Sequence, residues 1–200
     1  MDTSDIRICF IGDSMVNGTA DPTFLGWPGR VCQDAQQKDL FITHYNLGIR
    51  RDTTADIANR WEKECADRLP ESVDGRVVFS FGVNDTTIED DTRDRQRLDT
   101  ETSLRLAKEI LLRAKEIYTV LWVGPPPIAD DDQNKRVAKL CHAFQILAAE
   151  IDIPYLPVYN TLAQSSVWMT EAAAIDGAHP QAGGYAELAN LINNWSAWWF

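Results

Sequence analysis

The sequence predicts an α/β protein in which a parallel β-sheet lies between two layers of helices, as a three-layer sandwich. Three observations lead to this prediction. Short apolar runs bounded by glycine, proline and other turn formers are typical of buried strands. Between them lie longer segments whose apolar residues recur three or four positions apart, as on the buried face of a helix. Strand and helix follow each other in regular succession, which implies right-handed crossovers and helices on both faces of the sheet.

The predicted strands are short, and most of them end near a glycine or a proline. They comprise residues 8–11, 41–48, 76–82, 119–123 and 155–158. The fourth stops at Gly124 because the prolines that follow cannot donate hydrogen bonds to a β-ladder. Pro157 in the fifth strand favours a position at the edge of the sheet. The acidic stretch from Glu89 to Asp94 is expected to be a solvated loop.

The predicted helices lie between these strands. The first runs from Gly26 to about Gln37, and the second is capped by Asp52 or Thr53 and ends before Pro70. The apolar faces of the second and later helices are Ile57, Trp61, Cys65 and Leu69; Leu104, Ala107, Leu111, Ala114 and Tyr118; Val137, Leu140, Cys141, Phe144, Leu147 and Ile151; and, in a last helix from about Gly183, Tyr185, Leu188, Ile192, Trp195 and Trp199.

Length and composition favour one domain that covers residues 1–200, with no internal repeat, low-complexity tract or linker. The first residues are acidic and polar, and no apolar run is long enough to span a bilayer. We therefore expect a cytoplasmic protein without stable membrane association. The chain holds 19 Lys and Arg against 30 Asp and Glu, and the resulting net charge of -11 argues against nucleic acid as a partner.

The four cysteines are expected to be buried free thiols rather than disulfide partners or metal ligands. No two of them form a C-x-x-C pair, and each falls in a predicted strand or helix. They are Cys9, Cys32, Cys65 and Cys141.

The first predicted strand is followed by Gly12, Asp13 and Ser14, at a place where ligands bind in α/β sheets. The loop is not a P-loop, since Gly18 is not followed by lysine, and it lacks the second glycine of a dinucleotide fingerprint. It also differs from the nucleophile elbow of α/β-hydrolases, because Val16 stands in place of the last glycine. A serine nucleophile of another kind remains open.

Ser14, Gly48 and Asn84 follow the first three predicted strands, and the carboxyl ends of parallel strands lie along one edge of a sheet. We therefore expect the three residues at one crevice. The backbone N–H groups of Ser14 and Gly48 and the side-chain amide of Asn84 can together bind an oxyanion. Such an oxyanion forms when the Ser14 hydroxyl attacks an acyl carbonyl.

A serine nucleophile needs a general base, and the chain has three histidines. His44 lies in a predicted strand and His142 on a predicted helix, so both are assigned structural or merely exposed positions. His179 lies in a loop before the last helix, with Asp176 three residues upstream. This spacing lets one short segment present both side chains, so that the aspartate orients the imidazole and stabilises its charged form.

At four places the sequence resembles the GDSL or SGNH hydrolases, which are serine esterases and lipases with a flavodoxin-like fold. The matching blocks, in the family's order, are Gly12-Asp13-Ser14-Met15, Asn46-Leu47-Gly48, Gly82-Val83-Asn84-Asp85 and Asp176-Gly177-Ala178-His179-Pro180. Met15 replaces the leucine that is usual in the first block, and the two side chains are similar in volume and apolarity. The resemblance implies a five-stranded parallel sheet and a metal-free Ser-His-Asp mechanism without a cofactor.

The sequence thus predicts an esterase or acylhydrolase that cleaves carboxylic or thio esters of small to medium acyl groups. The catalytic residues are Ser14, His179 and Asp176, and the oxyanion donors are Ser14, Gly48 and Asn84. The expected substrate is a small-molecule ester, and the expected state is a monomer or weak homodimer. A carbohydrate O-deacetylase of the same family is the nearest alternative. A flavodoxin-like module that binds a phosphate or a flavin is the non-enzymatic alternative.

Other residues keep a structural interpretation beside the functional one. Each site residue alone could be a turn former or strand terminator, but their joint occurrence favours chemistry. Asp13 and Asp85 are expected to fix their loops by hydrogen bonds. Arg50 and Arg51 are assigned a solvated or ion-paired role ahead of contact with an anionic substrate group. The carboxyl-terminal aromatic residues are expected mainly to cover the core, with a dimer contact or an apolar rim as the alternative; they are Trp195, Trp198, Trp199 and Phe200.

Overall fold

In the computed structural model, which describes residues 5–37, 41–89 and 95–200, five parallel strands form one sheet. They are β1 (Ile6–Gly12), β2 (Ile42–Gly48), β3 (Asp74–Ser80), β4 (Thr119–Val123) and β5 (Tyr155–Leu156). Their order across the sheet is β2-β1-β3-β4-β5. The predicted parallel sheet and the edge position of the fifth strand are both confirmed.

Helices flank the sheet on both sides. Those described are α1 (Ser14–Asn17), α2 (Gly26–Gln36), α3 (Thr54–Ala66), α4 (Thr100–Ile117), α5 (Asp131–Glu150), α6 (Tyr159–Ala163), α7 (Ser166–Ile175) and α8 (Ala182–Asn193), and a single 3₁₀ turn spans Asn84–Thr86. Helix α2 lies where the turn at Gly26 predicts it, and α3, α4, α5 and α8 lie where the apolar spacing predicts them. The sequence did not predict α1, α6 or α7, and α6 and α7 together separate β5 from the last helix.

Each face of the sheet carries its own apolar core. Along β1, Ile8 and Phe10 belong to one core, whereas Cys9 and Ile11 belong to the other, because successive side chains of a strand point to opposite faces. The first core lies under α1, α2, α6, α7 and α8, and the second lies under α3, α4 and α5. Since β1 is buried on both faces, the loop that follows it starts from a rigid base.

Several boundaries differ from the prediction by one or more residues; β3, for example, spans Asp74–Ser80 instead of 76–82. Helix α4 ends one residue before Tyr118, which is partly buried against the second core. Strand β5 has two residues instead of four, because Pro154 precedes it and Pro157 follows it. Of the predicted acidic loop, only Glu89 belongs to the described residues, so that prediction falls largely outside them.

The carboxyl-terminal aromatic residues follow α8 instead of forming its last turn, and they pack against the first core. Trp198 is buried, with 7% of its surface exposed, and it stacks on Trp199 at a centroid distance of 5.2 Å. The Arg76 guanidinium lies over Trp199 and over Phe200, at 5.1 and 5.3 Å from the ring centroids. The predicted role of these residues as a cover of the core is confirmed.

The four cysteines are all buried and free, as predicted. Across the described ranges of the chain, no helix combines the length and the apolar character that crossing a bilayer requires.

Candidate active site

The turn that carries Ser14 is held by close backbone packing and by a buried carboxylate. Gly12 ends β1, and a Cβ atom at this position would lie 2.0 Å from the Ser80 carbonyl oxygen of β3, so only glycine fits. Asp13 caps α1 by accepting a hydrogen bond from the Met15 N–H at 2.8 Å. Ser14 is therefore the first residue of α1, and only 7% of its surface is exposed.

His179 lies against Ser14, and Asp176 lies against His179. The His179 Nε2 atom is 2.6 Å from Ser14 Oγ, and the His179 Nδ1 atom is 2.6 Å from Asp176 Oδ2. Since the carboxylate can only accept, Nδ1 carries the proton and Nε2 is left to accept the proton of the Ser14 hydroxyl. The segment Asp176–His179 thus presents both of its side chains on the side of Ser14.

The Asp176 carboxylate is held in its ionised form. Partial burial raises the pKa of Asp176, but hydrogen bonds from the His179 backbone and ring and from the Ala178 N–H outweigh it and keep that pKa below its usual value. The carboxylate can therefore both fix the imidazole and face a positive charge on it.

Asn84 lies at the same pocket as Ser14 and His179. Its Nδ2 atom donates to the Asp52 carbonyl oxygen at 2.9 Å and lies 3.4 Å from Asp13 Oδ2. Ser14, Asn84 and His179 border a common pocket of about 80 Å³.

Burial raises the pKa of Asp13 to about 7, and the nearby carboxylates of Asp85 and Asp52 add to this shift.

Gly48 is close to this pocket but does not line it. It pairs with Gly12 in the parallel register of β1 and β2, and a Cβ atom on it would lie 2.2 Å from the Asn17 backbone nitrogen. The Gly48 N–H donates to the Asn46 side-chain oxygen at 3.1 Å. The structure thus explains the glycine by close backbone packing, and it shows an N–H group that already has an acceptor.

Arg60 of α3 is a supporting residue that sequence reasoning missed. Its guanidinium donates to the carbonyl oxygens of Gly12 at 2.9 Å and of Leu47 at 3.0 Å, and it pairs with Asp52 at 2.7 Å. One side chain therefore ties together the carboxyl ends of β1 and β2 and the loop that receives the Asn84 amide. No sequence motif predicts this role, because two of its partners are backbone atoms.

Glu171 of α7 is the second supporting residue that the sequence did not predict. Its carboxylate accepts hydrogen bonds from the backbone N–H groups of Gln181, Gly183 and Gly184, at 2.8, 3.2 and 2.7 Å. These groups form the amino terminus of α8, where a negative charge is favourable. Glu171 thereby anchors the end of the segment that carries His179.

The other candidate residues take the structural or exposed positions predicted for them: His44 and His142 are exposed, and Asp85 is buried. His44 lies in β2, with its ring 6.4 Å from that of Phe10, and His142 lies on α5. Asp85 accepts hydrogen bonds from the N–H and hydroxyl of Thr54, at 2.8 and 2.6 Å, and so joins the turn after β3 to the start of α3.

Arg51 forms an ion pair with Glu89 at 2.7 Å, which confirms its predicted ion-paired role. Within the described residues, no group of three or more His, Cys, Asp and Glu side chains could hold a metal ion.

A five-stranded parallel sheet flanked by helices, with polar residues at the strand ends, is the SGNH hydrolase fold. The sequence model of the GDSL-like Lipase/Acylhydrolase family matches residues 10–187, and the chain belongs to this family of ester-bond hydrolases. The resemblance predicted from the four sequence blocks is therefore confirmed. A search of curated protein sequences found no match to the chain.

Solved structures with the same fold include a lipase/acylhydrolase and an acetylxylan esterase. The lipase/acylhydrolase from Enterococcus faecalis is 25% identical, with a TM-score of 0.75, over 94% of this chain and 93% of that chain. Axe2, an acetylxylan esterase from Geobacillus stearothermophilus, is 20% identical with a TM-score of 0.75, over 96% of this chain and 94% of that chain. The second likeness, at this low identity, shows the fold alone.

Proposed function

We propose that the protein hydrolyses esters of short acyl groups by a serine mechanism, with Ser14 as nucleophile, His179 as general base and acid, and Asp176 as the residue that orients the imidazole. One observation carries the proposal: a buried hydroxyl, an imidazole and a carboxylate are joined by two contacts of 2.6 Å beside a pocket. A serine that is only a turn former has no need of this chain of contacts.

The steps follow from the positions of the atoms. Ser14 Oγ attacks the acyl carbon while its proton moves to His179 Nε2, and a tetrahedral oxyanion forms. His179 then returns the proton to the leaving alcohol as the ester C–O bond breaks and the acyl group stays on Ser14. A water molecule repeats the sequence, so that the acid leaves and the serine hydroxyl is restored. Asp176 stays ionised throughout.

The oxyanion donors are proposed to be the Ser14 N–H, the Asn84 Nδ2 and the Gly48 N–H. The hydrogen bond to the Asp52 carbonyl orients the Asn84 amide before substrate binds. The Gly48 N–H already donates to Asn46, so it would serve two acceptors, as bifurcated hydrogen bonds do. The Asn84 amide is also engaged, since its two N–H groups donate to the Asp52 carbonyl oxygen and, at 3.4 Å, to Asp13 Oδ2. The oxyanion would replace this longer contact, so the Ser14 N–H and the Asn84 amide carry most of the stabilisation in this proposal.

The pocket volume supports a short acyl group. At about 80 Å³ the pocket is much smaller than the neighbouring groove of about 670 Å³, which favours an acetyl group over a long chain at Ser14. The acetylxylan esterase with the same fold acts on an acetyl ester by its name, and three of its solved forms, described as catalytic mutants, replace a serine, an aspartate and a histidine. This likeness supports a carbohydrate O-deacetylase as the second candidate.

The test is hydrolysis of 4-nitrophenyl esters from acetyl to long-chain acyl groups, with purified protein and the Ser14→Ala variant. We expect the highest kcat/KM for acetyl or propionyl and a loss of turnover in Ser14→Ala. Ser72→Ala, which changes an exposed serine, is the matched control and should keep full activity. Full activity in Ser14→Ala would refute the mechanism, and an absorbance spectrum of bound flavin would favour the binding-module alternative instead.

A further inference from the structure

Beside the pocket at Ser14 lies a larger groove of about 670 Å³, which none of the roles above uses. It is bordered by residues 17–22, Phe24, Asn46 and Arg50. Arg50 also borders the pocket at Ser14, and among the described residues no other borders both. A molecule that reaches from Ser14 into the groove must therefore pass Arg50.

The groove has both apolar and polar walls, and its uncharged polar side chains are already engaged with the protein. The Asn46 amide donates to the Val16 carbonyl oxygen at 2.8 Å, and its oxygen accepts the Gly48 N–H. The Asn17 amide donates to the Gly48 carbonyl oxygen at 3.3 Å. These groups shape the wall of the groove and have little hydrogen-bonding capacity left for a ligand.

Charge distinguishes Arg50 within this groove. Asp21 is the other charged residue that lines it, and its carboxylate is buried and paired with Arg30. Burial would raise the pKa of Asp21, but the hydrogen bonds from Arg30 and Thr23 outweigh it and hold that pKa well below its usual range. The Asp21 charge is thus balanced inside the protein, whereas Arg50 is exposed and forms no ion pair or hydrogen bond with the described residues.

Arg51, the neighbouring cation, differs from Arg50 in both respects. Arg51 is paired with Glu89 at 2.7 Å, its carbonyl oxygen accepts a hydrogen bond from Arg97, and it borders the pocket but not the groove. The net charge of -11 would repel an anion from a distance. Salt screens such distant charges beyond about 8 Å, so the nearest cation decides whether an anion binds.

We propose that Arg50 selects an ester whose alcohol part carries an anionic group, a carboxylate or a phosphate, and that this part lies in the groove while the short acyl group lies in the pocket at Ser14. This inference rests on the proposed function and names the substrate class of that same site. A guanidinium matches the planar geometry of a carboxylate and can bind a phosphate in the same bidentate manner. The size difference between the two spaces assigns the acyl group to the smaller one and the alcohol to the larger one.

The test compares three acetyl esters that differ in one para substituent: 4-acetoxybenzamide, which is neutral, 4-acetoxybenzoate and 4-acetoxyphenyl phosphate. Release of the phenol gives kcat/KM, and each value is divided by the rate with hydroxide alone to remove intrinsic reactivity. We expect one or both anionic esters to be preferred over the amide. The preference should fall as salt rises from about 0.01 M to about 1 M. Comparison of the two anions shows whether carboxylate or phosphate fits better.

The variants test whether Arg50 causes the preference. Arg50→Gln should lower the ratio of anionic to neutral kcat/KM about tenfold, the effect of one charge-assisted hydrogen bond. Arg50→Lys should retain part of the ratio, because it keeps the charge without the planar fork. Arg105→Gln removes the same charge from the exposed surface of α4, and it should leave the ratio as in the wild type.

Three results would overturn the inference while the proposed function stands: hydrolysis without preference for the anionic esters, an unchanged ratio in Arg50→Gln, or an equal fall of the ratio in Arg105→Gln. If no ester of any charge is hydrolysed, the proposed function fails and the inference fails with it. Arg50 is exposed, so its replacement does not disturb the core, and circular dichroism of each variant checks the fold.

Discussion

Ser14 and His179 meet at 2.6 Å, but the chain holds them in different ways. Ser14 follows directly from β1, whose side chains are buried on both faces, and Gly12 and Arg60 tie its turn to the neighbouring strands. His179 lies outside the sheet, between α7 and α8, and the Glu171 carboxylate holds the amino terminus of α8.

Ser14 and His179 are thus positioned in two different ways. The turn of Ser14 is held by several separate contacts, made by Gly12, Asp13 and Arg60, so the loss of one side-chain contact leaves the others. The position of His179 depends on a short segment and on one carboxylate that accepts three N–H groups. We therefore expect substitutions in supporting residues to affect activity more on the His179 side than on the Ser14 side.

The largest effect on kcat is expected from Ser14 and His179 themselves. Ser14→Ala and His179→Ala should each lower kcat by about 10⁴- to 10⁶-fold, because in the proposed mechanism the two groups act as a unit. The double variant should be no worse than either single variant. Single-turnover and steady-state kinetics on 4-nitrophenyl acetate measure this, and multiplicative losses in the double variant would show that the two side chains act independently.

A smaller effect on kcat is expected from Asn84, the proposed oxyanion donor beside Ser14. Asn84→Ala should lower kcat by about 10²- to 10³-fold with little change in KM, since the amide would stabilise only the oxyanion. Asn160→Ala, which removes an exposed carboxamide on α6, is the control. An equal rise in KM with unchanged kcat would instead assign Asn84 to substrate binding.

Glu171→Gln tests the His179 side directly. An amide cannot offer two charged oxygens to three N–H groups, so we expect a loss of about 1–2 kcal/mol in the free energy of unfolding and a fall in kcat of about tenfold. Glu150→Gln, which breaks an exposed ion pair with Lys108, is the matched control. If the folded Glu171→Gln enzyme kept full kcat and lost only stability, the carboxylate would support the fold and not the position of His179.

The sequence predicted the sheet, its edge strand and the positions of Ser14 and Asn84, because apolar runs that end in glycine mark buried parallel strands and their carboxyl ends. It also predicted that Asp176 and His179 share one segment. It did not predict α7, whose sequence Ser166–Ile175 has apolar and small residues on all sides and lacks a periodic stripe.

The supporting contacts were not predictable for a related reason. Arg60 reaches the Gly12 carbonyl across 48 positions of sequence, and Glu171 binds backbone N–H groups of another helix. Backbone atoms carry no residue identity, so no pattern of side chains signals such bonds. The hydrogen bond from the Gly48 N–H to Asn46 also involves a backbone atom and was not predicted. Because this N–H already has an acceptor, the predicted role of Gly48 as an oxyanion donor stays a proposal.

A pH dependence of stability, rather than an effect on kcat, is expected from the buried carboxylate of Asp13 beside Ser14. Burial raises the pKa of Asp13 from about 3.9 in the unfolded chain to about 7 in the fold. Between these values the folded state binds more protons than the unfolded state, so the stability contributed by Asp13 is present below about pH 4 and is lost as the pH rises towards 7.

Asp13→Asn removes this titration and keeps an oxygen that can accept the Met15 N–H. Relative to the wild type, its free energy of unfolding should increase with pH across this window, by at most about 1.4 kcal/mol per pH unit. Urea unfolding of both proteins at a series of pH values measures the difference. A difference that stays constant with pH would mean that Asp13 is ionised throughout, and the buried carboxylate would then owe its stability to the hydrogen bonds that reach it from Met15 and Asn84.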